Sequence, residues 1–222
     1  MLKVIPFVTQ KGGSGKTTLC VNLCVHAIEL GRRCLLADSD PQKTGYQWWS
    51  HRKEDAPKGG YFQAGELEPL IELARRDGFD YVFVDTAGHN QQLANELIKL
   101  ADLVLIPCRP TVPDMDAQIS TVDIVRRLEG RALIVLNQCL SLANSSRPKQ
   151  TRQRLSHLNV PVAPTSISSL VDFQDSFVSH EGVTELNPRG KAAAQIRELW
   201  ASIEAYLQEV RTIASTLKQA GF

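Results

Sequence analysis

The residues Gln10-Lys11-Gly12-Gly13-Ser14-Gly15-Lys16-Thr17-Thr18 constrain this chain more than any other stretch. An apolar run at 4–8 precedes them and reads as a short buried strand. An apolar-periodic run at 19–30, closed by Gly31, follows and reads as a helix. Strand, glycine loop and helix in that order form a cradle for phosphate. Glycines let the backbone curl and turn successive N–H groups inward, and the helix start adds partial positive charge at the same point. Lys16 supplies a full charge for β- and γ-phosphates, and Thr17 offers a hydroxyl to Mg²⁺. Gly12, Gly13, Ser14, Gly15 and Thr18 complete the expected nucleotide-binding loop. A ligand-free glycine turn is the competing reading, and the strand-and-helix context disfavours it.

Along the remaining chain, continuous apolar runs at 34–37, 81–84, 103–106 and 132–136 alternate with helical patterns at 67–76, 91–100, 116–128, 149–158 and 191–217. Residues 61–63 read as a short strand, 160–162 as the start of a last strand, and 44–52 as a polar and aromatic stretch. Unbroken apolar strands between helices predict an α/β fold: one domain spanning residues 1–222, with a mostly parallel twisted sheet covered on both faces. Ligands in such sheets sit at the carboxyl ends of the strands. Asp38, Asp40, Asp85 and Asn137 all fall there, as does the glycine loop.

The 222 residues are enough for one large core, and the formal net charge of +1 provides no global field for nucleic acid or membrane. The chain enters its first strand at once, without a signal peptide, and no apolar run reaches the roughly 20 residues of a spanning helix. A cytoplasmic location is expected. Cys20, Cys24, Cys34, Cys108 and Cys139 include no Cys-x-x-Cys pair and lie in or beside apolar runs, so buried free thiols are expected rather than metal ligands.

The loop departs from the ordinary Walker pattern, which has glycine where this chain has Gln10, and adds a second lysine, Lys11. Lys-Gly-Gly-x-Gly-Lys-Thr-Thr resembles the deviant Walker loop of the ParA/MinD family of partition and positioning ATPases, a P-loop NTPase group. Asp38-Ser39-Asp40-Pro41-Gln42 resembles the second signature of that family, and the resemblance extends through Leu105-Ile106-Pro107 to Lys191-Ala192-Ala193. It implies that Lys11 reaches across a dimer to the partner's nucleotide and that Asp40 places the attacking water. Asp38 then supports the Mg²⁺ shell, Asp85 holds the ion in the Walker B position, and Asn137 and Pro164 border the adenine. Lys11, Lys16 and Asp40 are thus the expected catalytic residues, with Thr17, Asp38 and Asp85 around the metal. Thr86-Ala87-Gly88 stands where relatives often have prolines, and it is expected to be a flexible switch, because Gly88 permits backbone angles other residues cannot adopt.

The same resemblance implies an ATP-dependent homodimer, a centromere-binding (ParB-type) partner, and non-specific duplex DNA binding by the dimer. Two basic groups are candidates for that surface: Arg126, Arg127 and Arg131, and Arg147, Lys149, Arg152 and Arg154, with Arg189, Lys191 and Arg197 able to join either. Plain solvated faces are the alternative. A MinD-like membrane cycle would call for a basic amphipathic tail, whereas residues 214–222 are polar and weakly basic. An iron–sulfur carrier would need paired cysteines in the later half. Retention of Lys16, Asp40 and Asp85 argues against a protein that binds ATP without turnover. Trp48 and Trp49 read mainly as packing residues, one of them available to a partner.

Overall fold

The computed structural model describes residues 1–88, 90–140 and 147–219. In chain order the elements are β1 (Lys3–Phe7), α1 (Lys16–Glu29), β2 (Cys34–Asp38), α2 (Thr44–Ser50), β3 (Lys58–Tyr61), α3 (Leu67–Arg76), β4 (Tyr81–Asp85), α4 (Gln91–Leu100), β5 (Val104–Cys108), α5 (Val112–Arg127), β6 (Ala132–Leu136), α6 (Arg147–Leu155), α7 (Asp172–Ser179), α8 (Val183–Leu186) and α9 (Lys191–Gln219). The strands form one parallel sheet in the order β3-β2-β4-β1-β5-β6. The α/β parallel architecture expected from the sequence is the one observed.

Strand alternation divides the core. Ile5, Phe7, Leu36, Phe83, Leu105 and Leu133 face α1 and α9, where Leu19, Leu23, Ile196 and Trp200 fill the layer. Val4, Leu35, Ala37, Val82 and Val84 face the other way, onto Ile71 of α3 and Leu97 of α4. Val104, Ile106, Ile134 and Leu136 do the same against Val122 and Val125 of α5. Both faces are covered, which is why these strands read as unbroken apolar runs. The five cysteines are buried and free, as expected.

Register sets the position of the site. Phe7 of β1 and Asp38 of β2 each pair with Asp85 of β4, so three neighbouring strands end on one row. Ser39 then donates both its N–H and its hydroxyl to the Asp85 carbonyl, at 3.0 and 2.7 Å, and Thr86 Oγ1 donates to the Phe7 carbonyl at 2.6 Å. The loops leaving these strands are thereby tied together before any ligand is considered.

Four expectations need correction. The aromatic stretch at 44–52 contains α2, whose Tyr46 N–H donates to the Asp38 carboxylate at 2.8 Å. The start signal is non-local, so the sequence pattern does not reveal it. The last strand predicted from 160–162 does not form. Val162 makes a single bridge to Ile134, and Pro161 has no N–H to extend a ladder. The short strand expected at 61–63 is β3, which runs earlier and shares only Tyr61 with that range. Finally, α5 starts at Val112 instead of Asp116, because Thr111 caps it by accepting from the Asp114 N–H and Pro113 fits the first turn. Both tryptophans pack. Trp48 is 2 % exposed, and Trp49 donates its indole N–H to the Pro57 carbonyl.

Candidate functional site: a phosphate-loop cleft

A cleft of about 1210 Å³ opens at the carboxyl ends of the strands. One wall is the glycine loop with Lys16, Thr17 and Thr18, and a second is Asp40 to Thr44. The rim runs from Ala87 to Gln91 on one side and from Ser168 to Phe177 on the other. Asn137 and Gln138 close the back.

Loop conformation follows from its residues. Gly13 and Gly15 have φ of +71° and +89°, a region in which side chains are strained. Gly15 is doubly required, because a Cβ there would come within 2.2 Å of Asn137 Nδ2. Asn137 donates to the Ser14 carbonyl at 2.7 Å and Gln138 to the Gly13 carbonyl at 3.0 Å. With these carbonyls turned back toward β6, the loop N–H groups are left for the cleft. In this structure the Asn137 amide therefore braces the loop from the cleft wall, where the resemblance placed it against adenine. Gly88 is not in the left-handed backbone region.

Asp85 is the electrostatic centre. It is wholly buried. Thr17 Oγ1 donates to its Oδ2 at 2.6 Å, while its Oδ1 has no hydrogen-bond partner among the described residues. Burial, with Asp38 and Asp40 nearby, pushes its pKa up to about 7; the Thr17 hydrogen bond and the Lys16 charge oppose this without overcoming it. A buried carboxylate oxygen beside a hydroxyl, short of positive charge, suits a hard divalent cation. The residues thus fit Mg²⁺, with Thr17 and Asp85 as the groups that would hold it. Among the described residues no cluster of three or more carboxylate, histidine or cysteine ligands exists. That fits an ion held by few protein groups together with phosphate oxygens. Lys16 is 8 % exposed, and burial lowers its pKa while Asp85 and Asp40 act to raise it.

Asp38 accepts two backbone hydrogen bonds. Its Oδ1 accepts from the Asp40 N–H and its Oδ2 from the Tyr46 N–H, both at 2.8 Å. Burial raises its pKa and these backbone bonds resist the rise. The carboxylate holds the loop that carries Asp40 and the first turn of α2, and it also stands beside the ion site, since a Cβ built on Gly45 would meet its Oδ2 at 3.3 Å and the Asp85 Oδ2 at 3.5 Å. Asp40 lines the cleft, partly exposed. Lys11 and Pro164 do not line it. The Pro164 carbonyl instead accepts from Arg152, which also reaches the Ala163 carbonyl and Ser166. A further wall of the cleft is formed by Ser168, Leu170, Phe173 and Phe177. Sequence reasoning missed this wall, although Leu170, Phe173 and Phe177 have helical spacing.

The family model described as VirC1 protein matches residues 2–220. Protein virC1 of Rhizobium radiobacter is 31 % identical over 177 residues, covering 74 % of this chain and 75 % of that one. The chain belongs to the VirC1 family, among the ParA/MinD-like ATPases. Carboxysome distribution protein A of Halothiobacillus neapolitanus is 28 % identical over 193 residues, 83 % of this chain and 88 % of that one. The crystal structure of the cell division ATPase MinD from Pyrococcus furiosus shares the fold. Its TM-score is 0.76 at 18 % identity, over 93 % of this chain and all of MinD. In this VirC1-family member, the deviant loop and the Asp-x-Asp-Pro-Gln signature sit around one cleft.

Proposed function

We propose that the protein is an ATP-dependent partition ATPase, a slow Mg²⁺-ATPase that dimerises with ATP and releases on hydrolysis. The Thr17–Asp85 pair carries this reading, because its unpartnered buried oxygen beside a phosphate loop has no evident purpose without a cation. Loop N–H groups and Lys16 bind and orient the triphosphate. Thr17 and Asp85 would hold Mg²⁺, which would supply charge neutralisation for the phosphates. Asp40, in the cleft beyond Lys16, orients the water, and a reaction of this kind depends on placement more than on a strong base.

The ATP dimer is proposed to bind duplex DNA without sequence preference and to meet a ParB-type partner in the cytoplasm, nucleoid-associated when ATP-bound. Exposed Lys149 and Arg154 on α6 support that surface. Arg152 is committed to the 163–166 loop, and the Arg147 side chain lies outside the described residues. Arg126, Arg127 and Arg131 are exposed where α5 ends and β6 begins, the end of the sheet away from the cleft. They are too remote to form one surface across cleft-facing subunits.

Turnover tests the reading. Lys16→Ala abolishes ATP binding or hydrolysis, and Asp40→Ala keeps binding but loses hydrolysis. Equal turnover in Asp40→Ala and the parent would contradict it. The name of the Halothiobacillus relative favours a second reading, positioning of a protein cargo. Deleting the gene and scoring plasmid retention separates the two, since only partition predicts plasmid loss.

A further inference from the structure

Arg109 directly follows β5 and enters neither the ion site nor the cleft lining. Its Nε donates to Asp114 Oδ1 at 3.1 Å, and the Asp114 side chain is only 4 % exposed. Its backbone is fixed too, because the Thr111 N–H donates to the Arg109 carbonyl at 2.8 Å and the Cys108 thiol approaches the same oxygen. The guanidinium is therefore aimed. A Cβ built on Gly13 would meet Arg109 Nη1 at 3.9 Å, so the fork lies against the glycine loop. No hydrogen bond or ion pair engages Nη1 or Nη2 among the described residues, and the side chain is 32 % exposed. Lys11, at the start of the same loop, also stays off the cleft lining.

We propose that Arg109 is a second cation acting across the dimer, donating its terminal N–H groups to the triphosphate bound by the partner subunit. This rests on the ATP-dependent dimer above. An arginine held through Nε by a buried carboxylate keeps its outer N–H groups directed along one line. Here Nη1 lies beside exposed Gly13, while Arg109 itself stays off the lining of the subunit's own cleft. An anion reaches them only by arriving from outside. In a face-to-face dimer the anion that arrives with the loop is the second nucleotide, and each Arg109 is used once, giving two contacts per dimer. Asp114 cancels part of the charge in the monomer, so the loop is not overcharged before the partner docks.

The experiment is sedimentation of the full chain in Mg²⁺ and ATP, in the hydrolysis-blocked Asp40→Ala background, with Arg109 intact or replaced by Gln or Lys. Gln can still hydrogen-bond Asp114, so folding is preserved, and the melting temperature checks this. Each dimer loses two charge-assisted contacts, so Arg109→Gln raises the dimer dissociation constant by roughly a hundredfold or more. Lys keeps the charge without the fork and falls between. ATP affinity, measured by fluorescent-analogue displacement at monomer concentrations, stays at the parent value. An unchanged dimer constant in Arg109→Gln would overturn the proposal, as would an equal loss of ATP affinity in the monomer, which would place Arg109 on its own nucleotide. A parent that fails to dimerise with ATP defeats the dimer reading itself, and the Arg109 contact with it.

Discussion

Asp85 joins chemistry and fold in one side chain. Its Oδ2 takes the Thr17 hydroxyl and its Oδ1 takes nothing, so the folded protein holds a carboxylate that burial has made unwilling to ionise. Asp85→Asn removes the group a cation needs and leaves a similar shape. Mg²⁺-dependent tightening of nucleotide binding is expected to vanish in that variant, while metal-free ADP binding persists, as calorimetry with and without the metal would show. Gly15 is the matching backbone position. Gly15→Ala places a methyl group 2.2 Å from Asn137 Nδ2 and forces alanine into φ of +89°. The left-handed conformation alone costs about 1–2 kcal/mol. Loop distortion should abolish ATP binding beyond that loss of stability, and an alanine variant with parental ATP affinity would contradict the bracing role of Asn137.

At the scale of elements, α2 and α8 are joined by a buried ion pair. Arg52, directly after α2, donates two bonds to Glu185 of α8, at 3.0 and 2.8 Å, and a third to the His180 carbonyl; its side chain is 3 % exposed. Burial alone would raise the Glu185 pKa, but bonds from Arg52 and Gly182 outweigh it and hold the carboxyl below its usual value. The folded state therefore releases this proton more readily than the unfolded chain. The stabilisation is complete above the unfolded value of 4.5 and is lost as pH falls through and below it. Glu185→Gln should flatten that part of the stability–pH curve in chemical denaturation. Arg52→Ala, which leaves a partly buried carboxylate unpaired, should cost up to about 3 kcal/mol at neutral pH. Neither partner was legible as a pair, because they lie 133 positions apart. The sheet was largely legible for a local reason: five buried strands, all but β3, carry apolar runs that a window of five residues reveals. The phosphate loop, Asp40 and Asp85 were legible because their chemistry sits in short signatures. What stayed hidden depends on distant partners: α2 started by Asp38, the cleft wall of α7, Asn137 turned onto the loop, and Arg152 spent on a neighbouring turn.

For the whole molecule, the site is open on the side where a second copy would dock. Gly12 and Gly13 are exposed, Lys11 lies off the cleft lining, and Arg109 flanks the loop. The net charge of +1 gives a single subunit little pull on a polyanion, so the proposed DNA binding would have to come from local patches doubled by the proposed dimer. Affinity falls with log salt by about 0.9 per phosphate neutralised. A mobility-shift series on unrelated duplexes should show a steep slope with ATP and weak binding with ADP. Lys149→Glu with Arg154→Glu should flatten that slope without reducing turnover. All of this depends on one switch, and light scattering tests it most directly. In Mg²⁺ and ATP, the Asp40→Ala protein is predicted to have twice the monomer mass, and in ADP the monomer mass. Lys11→Ala in the same background is predicted to remain monomeric with ATP bound. A dimer that forms equally in ADP, or that persists unchanged without Lys11, would contradict the account.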